Sequence, residues 1–353
     1  MSLIEVTGTA LRDSWRDDSM PPVERVRPGL WSIPVPIPRN PLRYVIVYAL
    51  ELDDGVAVID TGWSTDEAWT ALTGGLRTAG FAVTDVRAAL ITHIHPDHYG
   101  LAGRLREESG AWVALHPADA ALLPARYGIG IDTLIAGMRN LLRECGVPPE
   151  VLEELTGASM GIREFVALAE PDVLLEDRAR IDLPGWDLVA LHTPGHSPGH
   201  VCFYDRERRL LISGDHVLPR ISPSITVHAQ QTGNPLADFL DALMSVRGLG
   251  VDEVLPAHEW RFRGLDARVD ELVEHHERRA EQTSALIRAA PGATCWEVTR
   301  QLTWSRDWDE ITGFMRRAAV GETLAHLVLL ESRHRVRREA SGGPVRWYPA
   351  AAA

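Results

Sequence analysis

The chain has 353 residues, a net charge of −13 and 45% hydrophobic residues, so it is long enough for two domains and apolar enough for a packed core. The acidic balance argues against a protein that coats nucleic acid through bulk electrostatics, and no apolar run reaches the length of a membrane span. Cys145, Cys202 and Cys295 are scattered and odd in number, so no disulfide framework is implied. Met1-Ser2-Leu3-Ile4-Glu5 lacks the basic and apolar regions of a signal peptide, and a cytoplasmic protein is expected. All 36 basic residues are arginine, so any phosphate or carboxylate on a substrate must be met by Arg, backbone amides or metal.

Residues up to about Val26 are polar, contain Pro21-Pro22 and read as an irregular arm. Residues 30–35, 44–50 and 56–60 read as successive strands, with Asn40-Pro41 and Asp53-Asp54-Gly55 as the turns between them. Ser64-Thr65-Asp66-Glu67 reads as a capping box with Ser64 at the N-cap, opening a helix whose apolar face carries Ala68, Leu72, Leu76 and Ala79. The short apolar run Ala88-Ala89-Leu90-Ile91 leads into Thr92-His93-Ile94-His95-Pro96-Asp97-His98-Tyr99-Gly100. His93 and His95 are two apart, so an extended backbone turns both imidazoles to one side. One ion could take His93 and His95, and a second could take Asp97 and His98. A helix over 101–108 and a strand over 111–115 follow, giving an α/β domain.

Residues from about 118 to 172 contain little strand signal. Leu122-Leu123, Leu134-Ile135, Met138, Leu141-Leu142 and Val151-Leu152-Leu155 recur at helical spacing, the pattern of a helical insertion near the mouth of a site. Its apolar stripe is expected to pack a small core of its own, with Tyr127, Met138, Met160 and Phe165 as the residues that would line a lid or acyl pocket. Three more candidate ligands then follow short apolar runs. His196 lies in the turn after Leu188-Val189-Ala190-Leu191, Asp215 follows Leu211-Ile212-Ser213-Gly214, and His258 follows Val254-Leu255-Pro256-Ala257. Ligands at strand ends can converge on one rim of a sheet. His116, His192, His200, His216 and His228 have no ligand slot and read as structural, with His192 and His200 placed to support ligands.

The C-terminal part changes character. Residues 265–290 form a charged helix ended by Pro291-Gly292, Thr294 to Glu297 is a second capping box, and a helix runs over about 320–331. Ser341-Gly342-Gly343-Pro344 reads as the turn of a short hairpin. Arg333, Arg335, Arg337, Arg338 and Arg346 are candidates for phosphate contacts, but nearby Glu and Asp favour a solvated basic edge, or a docking surface for the catalytic domain or a second subunit.

The ordered set His93-x-His95-x-Asp97-His98, His196, Asp215 and His258 resembles the metallo-β-lactamase superfamily over roughly the first 265 residues. The resemblance implies an αββα sandwich whose first ion is held by His93, His95 and His196 and whose second is held by Asp97, His98 and His258. It makes Asp215 the bridge and Asp60 a support of the metal loop. The domains expected are a catalytic domain over 1–265 with its insertion at about 118–172, and a small helical domain over 266–353 whose layout resembles a winged helix. Imidazoles and carboxylates without thiolates suit two Zn²⁺ per chain, with Mn²⁺ or Fe²⁺ as alternatives. A hydroxide shared by the ions would be the nucleophile, and Asp97 would orient its ion and handle a proton.

Asp215 stands where many zinc β-lactamases carry Cys, which moves the resemblance towards glyoxalase II-like enzymes. The expected activity is hydrolysis of a small-molecule acyl thioester or related ester, with no membrane partner. The substrate-binding residues stay unassigned. Phosphodiester cleavage by a lactamase-fold endoribonuclease is the alternative; a lactonase, an iron-dependent sulfur dioxygenase with one metal and a DNA-binding regulator with a vestigial site are further readings.

Overall fold

The computed structural model describes residues 4–38, 40–128, 130–158, 164–231 and 233–350. Contacts divide the chain into two compact units. The first comprises Met1–Leu123, Ile162–Pro223 and Ala242–Val269; the second comprises Pro124–Gly161, Ser224–Asp241 and Asp270–Ala353.

The first unit opens with strand β1 (Glu5–Val6) and helix α1 (Thr9–Arg16). Strands β2 (Glu24–Arg27), β3 (Leu30–Pro36), β4 (Tyr44–Leu52), β5 (Gly55–Ile59), β6 (Val86–Leu90), β7 (Trp112–Leu115) and β8 (Val173–Leu174) follow in one sheet, in that spatial order. Neighbours are antiparallel up to β5 and parallel from β5 to β8. Strands β9 (Leu188–His192), β10 (Val201–Asp205), β11 (Leu210–Gly214), β12 (Glu253–Pro256) and β13 (Phe262–Arg263) join β1 in a second sheet ordered β1-β13-β12-β11-β10-β9.

Strand β4 shows how the layers stack. Tyr44, Ile46, Tyr48 and Leu50 alternate into a core shared with Leu188, Ala190, Phe203, Ile212 and Leu255 of the second sheet. Val45, Val47 and Ala49 face the other way and are also fully buried. A strand covered on both faces reads as a continuous apolar run instead of an alternating one. Helix α2 (Asp66–Thr78) supplies cover on that outer side: a Cβ on Gly75 would stand 2.2 Å from Ile33 of β3, so only glycine lets the helix settle there. Two sheets face to face with helices outside are the expected sandwich.

Two local readings need correction. The first residues are not an irregular arm: β1 pairs with β13, β2 pairs with β3, and Leu11 of α1 enters the inter-sheet core. An eight-residue helix with one buried side chain leaves little periodic signal to read. The N-cap of α2 is Thr65, whose side chain accepts from Ala68 N–H at 3.2 Å, one residue later than expected. Adjacent Ser and Thr are both competent caps, and the backbone chooses between them.

Helices α3 (Pro96–Tyr99), α4 (Ala102–Ser109) and α5 (Pro117–Ala120) stay with the first unit. The next part of the insertion does not form a core of its own. From α7 (Ile131–Glu144), which follows α6 (Leu123–Tyr127), and α8 (Pro149–Gly157), the residues Met138, Leu142, Cys145, Leu152 and Leu155 enter one buried cluster with Val298, Leu327, Leu330 and Trp347. The second unit therefore joins the insertion to the C-terminal segment. Helix α9 (Pro235–Val246) precedes that segment, which contains α10 (Leu265–Ala289), β14 (Ala293–Thr294), α11 (Cys295–Thr299), α12 (Gly313–Ser332), β15 (Val336–Glu339) and β16 (Arg346–Pro349). The three strands form an antiparallel sheet ordered β14-β16-β15. The Thr294–Glu297 capping box is present in both directions, at 3.2 and 2.8 Å. Of the residues expected to line a lid, Met138 is core, Phe165 packs edge-on against Trp63 within the first unit at 4.8 Å, and Met160 lies outside the described residues.

Candidate metal centre

Strand direction collects the site. β5 and β6 are parallel, so Asp60 and the His93–His98 loop leave the same edge of the first sheet. β9 and β11 both run antiparallel to β10, and β12 runs parallel to β11, so the chain reaches His196, Asp215 and His258 from one edge of the second. Three ligand groups result: His93, His95 and His196; His93, His98 and Asp215; and Asp97, His98 and His258, the ligand atoms in each lying within 4.8 Å of one another. All seven expected ligands are brought together.

The carboxylate of Asp215 stands between the two histidine sets. Its Oδ2 lies 3.4 Å from His196 Nε2, while Oδ1 lies 3.3 Å from His258 Nε2 and 3.6 Å from His98 Nε2. Asp97 reaches one side only, with Oδ2 3.4 Å from His258 Nε2 and 3.6 Å from His98 Nε2. On the other side His93 Nε2 faces His95 Nδ1 at 2.9 Å.

Hydrogen bonds fix which ring nitrogen each histidine presents. His98 Nδ1 donates to Asp60 Oδ2 at 2.7 Å, and His258 Nδ1 donates to the Tyr44 carbonyl at 3.0 Å, so both present Nε2 to the cluster. His98 Nε2, His258 Nε2 and Asp215 Oδ1 are buried and make no hydrogen bond. Buried polar atoms left this way are costly unless something else meets them, and a cation at their convergence does so. The donor set fits a divalent metal of N/O preference.

Asp60 is hydrogen-bonded to the His93–His98 loop and to the residue before it. It adopts a left-handed backbone (φ +63°), accepts Thr92 N–H at 2.8 Å and the Thr92 hydroxyl at 2.9 Å, and anchors His98. His200 supports Asp215: its Nε2 accepts the Asp215 N–H at 3.1 Å and its Nδ1 donates to Thr193 Oγ1 at 2.8 Å. Gly214 (φ +50°) leaves room for that bond, since a Cβ there would meet His200 Nε2 at 2.7 Å. His192 is also a support, donating from Nε2 to the Pro198 carbonyl at 2.9 Å and stacking on His116 at 3.9 Å.

The electrostatics divide the same way. Burial, reinforced by His98, His95 and His196, holds His93 well below the usual histidine range and keeps it neutral. Burial would also lower His98, but Asp97, Asp60 and Asp215 outweigh it and raise it to about 9. His258 is likewise raised against burial by Asp215 and Asp97. Asp215 stays well below the carboxylate range despite burial because His258, His98 and His196 surround it.

One supporting residue has no counterpart in the sequence reading. Asp119, fully buried in α5, accepts the Ile94 N–H and the Ser197 hydroxyl on Oδ2, both at 2.8 Å, and the Gly199 N–H on Oδ1 at 2.7 Å. It ties the His93–His95 loop to the His196 loop. Its only sequence signal is a position just past strand β7, which any turn former shares. Glu259 is a second case: buried at φ +67°, it accepts from Arg220 Nε at 2.8 Å and Arg220 N–H at 3.1 Å, pinning that loop beside His258.

A sandwich with a His/Asp cluster at the strand ends of both sheets defines a class of metal-dependent hydrolases. The Lactamase_B family model, described as the metallo-β-lactamase superfamily, matches residues 41–258, and the chain belongs to that superfamily. A crystal structure of a metallo-β-lactamase family protein from Thermus thermophilus is 33% identical, covers 92% of this chain and 100% of its own, and superposes with a TM-score of 0.78. The probable metallo-hydrolase YqjP of Bacillus subtilis (strain 168) is 25% identical over 85% of this chain and 92% of its own length. The acyl-coenzyme A thioesterase MBLAC2 of Gallus gallus is 33% identical over 48% of this chain and 55% of its own length.

Proposed function

We propose that this chain hydrolyses acyl thioesters at a dinuclear metal centre, with Zn²⁺ as the first candidate metal. The reading rests on Asp215, whose two oxygens face opposite histidine sets and so suit a bridge between two ions. His93, His95 and His196 would hold one ion, and Asp97, His98 and His258 the other. Two bound ions would lower the pKa of a water between them and polarise the acyl carbonyl. Asp60, Asp119 and His200 hold the ligand loops in place, so little reorganisation is left for turnover. Asp97 has a partly exposed side chain (13%) and can pass a proton to the departing product.

Its likeness to the acyl-coenzyme A thioesterase MBLAC2 supports the thioester over the lactone. The order α10-β14-α11-α12-β15-β16 supports a winged-helix-like C-terminal part, but its arginines favour an edge that is already neutralised. Arg333 pairs with Glu277, Arg335 with Glu281, Arg337 with Glu339 and Arg338 with Glu331, while Arg346 donates to the Gly292 carbonyl. This weighs against phosphodiester cleavage.

The test is metal analysis followed by turnover of acyl-CoA thioesters, lactones, nitrocefin and bis-p-nitrophenyl phosphate. About two equivalents of metal and a preference for thioesters are expected. One equivalent of iron with oxygen uptake on a persulfide would overturn the reading, as would a preference for the phosphodiester.

Metal uptake should depend on pH. With His98 raised to about 9 and His258 also raised, both carry protons in the metal-free chain at neutral pH, and a cation must displace them. The affinity of the Asp97/His98/His258 side therefore rises with pH, by about tenfold per unit for each proton released, and levels once both histidines have lost theirs. Chelator competition across that range checks it; a flat profile would contradict the assigned protonation.

A further inference from the structure

Cys145 and Cys295 come from segments far apart in sequence and meet inside the second unit. Cys145 caps the C-terminal end of α7, and Cys295 is the first residue of α11. Their main chains are joined: the Cys145 carbonyl accepts the N–H of Trp296, the residue after Cys295, at 2.8 Å. Each Cα is two bonds from that hydrogen bond, which holds the two Cα atoms within about 7.6 Å even at full stretch; bridged cysteines usually lie about 4.4–6.8 Å apart. The flanking residues tighten the contact. A Cβ on Gly146 (φ +82°) would stand 2.7 Å from the Thr294 Cβ, and the Glu144 carbonyl accepts the Val345 N–H at 2.8 Å.

Both thiols are free and belong to one buried cluster, with Cys145 3% and Cys295 1% exposed. Cys295 Sγ stands 3.5 Å from the Val320 carbonyl. The Cys295 thiol beside it, and then burial, hold Cys145 well above the usual thiol range. A buried cysteine can serve simply as a small apolar core residue. Cys202 is that plainer case: it lies in the first unit, with the Thr193 hydroxyl at 3.4 Å and the Ser213 carbonyl at 3.5 Å. Cys145 and Cys295 differ because they stand on adjoining main chains that are hydrogen-bonded to each other at the point of contact. Bridging them asks for side-chain rotation and little movement of the backbone.

We propose that Cys145 and Cys295 are a redox modification site: a small disulfide oxidant, such as oxidised glutathione, converts them to an intramolecular bridge that staples the helical insertion to the C-terminal segment. A thiolate of the pair attacks one sulfur of the oxidant R–S–S–R and expels R–S⁻, and the second cysteine displaces the other R–S⁻ from the mixed disulfide. Two protein thiols become one disulfide, the oxidant is reduced to two R–SH, and these take up the two protons. Burial makes the exchange slow in the folded chain, because the oxidant must reach thiols that are almost fully covered. The bridge closes a loop of about 150 residues, so it restricts the unfolded chain strongly. The inference is independent of the substrate turned over at the metal centre.

The test is overnight incubation of the reduced full-length chain with oxidised glutathione at neutral pH, followed by intact-mass measurement, peptide mapping and thermal unfolding. The expected result is loss of two hydrogens, a linked peptide pair containing Cys145 and Cys295, and a rise in the unfolding midpoint of about 5 °C or more that dithiothreitol reverses. Cys202→Ala should respond as the wild type does, while Cys145→Ala and Cys295→Ala should lose both the linked pair and the rise. A wild-type chain that keeps both thiols, or carries only glutathione adducts on them, would overturn the proposal whether or not the variants fold. So would a bridge that forms only in denaturant, or one that leaves the midpoint unchanged or lowers it, because the folded unit would then not hold the two cysteines ready to join.

Discussion

Asp215→Ala is expected to lower turnover by at least about a thousandfold while leaving the chain folded. The substitution removes the one carboxylate that faces both histidine sets, with Oδ2 3.4 Å from His196 Nε2 and Oδ1 3.3 Å from His258 Nε2. It does not remove the backbone anchor, because the N–H that donates to His200 Nε2 belongs to the main chain and survives in alanine. Metal content should fall in step with activity. Asp97→Ala is the informative comparison: Asp97 contacts only the His98 and His258 side, so that variant should retain the ion on the His93, His95 and His196 side. Elemental analysis with thermal unfolding separates the cases. Turnover by Asp215→Ala within tenfold of wild type would remove Asp215 from the centre.

The seven candidate ligands were legible because they follow short apolar strands, and strand ends are where a sheet presents side chains. The sandwich was legible for the same reason: β4, β5 and β6 are largely buried on both faces, and their apolar runs are interrupted only by Glu51 near the end of β4 and Arg87 near the start of β6. What the sequence hid is long-range. Met138 and Leu142 have the spacing of a buried helix face, but spacing does not name a partner, and theirs are Val298, Leu327 and Trp347. The N-terminal segment was hidden because α1 commits a single residue, Leu11, to the core. Asp119 is the clearest case. Its value lies in the backbone amides of Ile94 and Gly199, which have no side-chain signature at all.

Asp119→Ala should therefore be among the most damaging substitutions outside the ligands. Three donors would lose their acceptor: the N–H groups of Ile94 and Gly199 and the hydroxyl of Ser197. Each buried donor left unsatisfied costs about 1–3 kcal/mol, and partial entry of water reduces the total to about 3–5 kcal/mol, a large share of a domain's stability. Gly199 packs closely on this turn, since a Cβ on it would stand 2.6 Å from the Asp119 nitrogen. Loosening the tie frees the His93–His95 loop from the His196 loop, so the ion they share should bind about 10–100-fold more weakly, the usual cost of removing a support behind a metal ligand. Asp119→Asn distinguishes this from simple damage. One amide oxygen can still accept from Ile94 and Ser197, while the NH₂ group meets the Gly199 N–H donor to donor, so about half the stability and part of the metal affinity should return. Denaturant unfolding and chelator competition on the three proteins decide it. Equal metal affinity in wild type and Asp119→Ala would show that the two loops hold their geometry without the carboxylate between them.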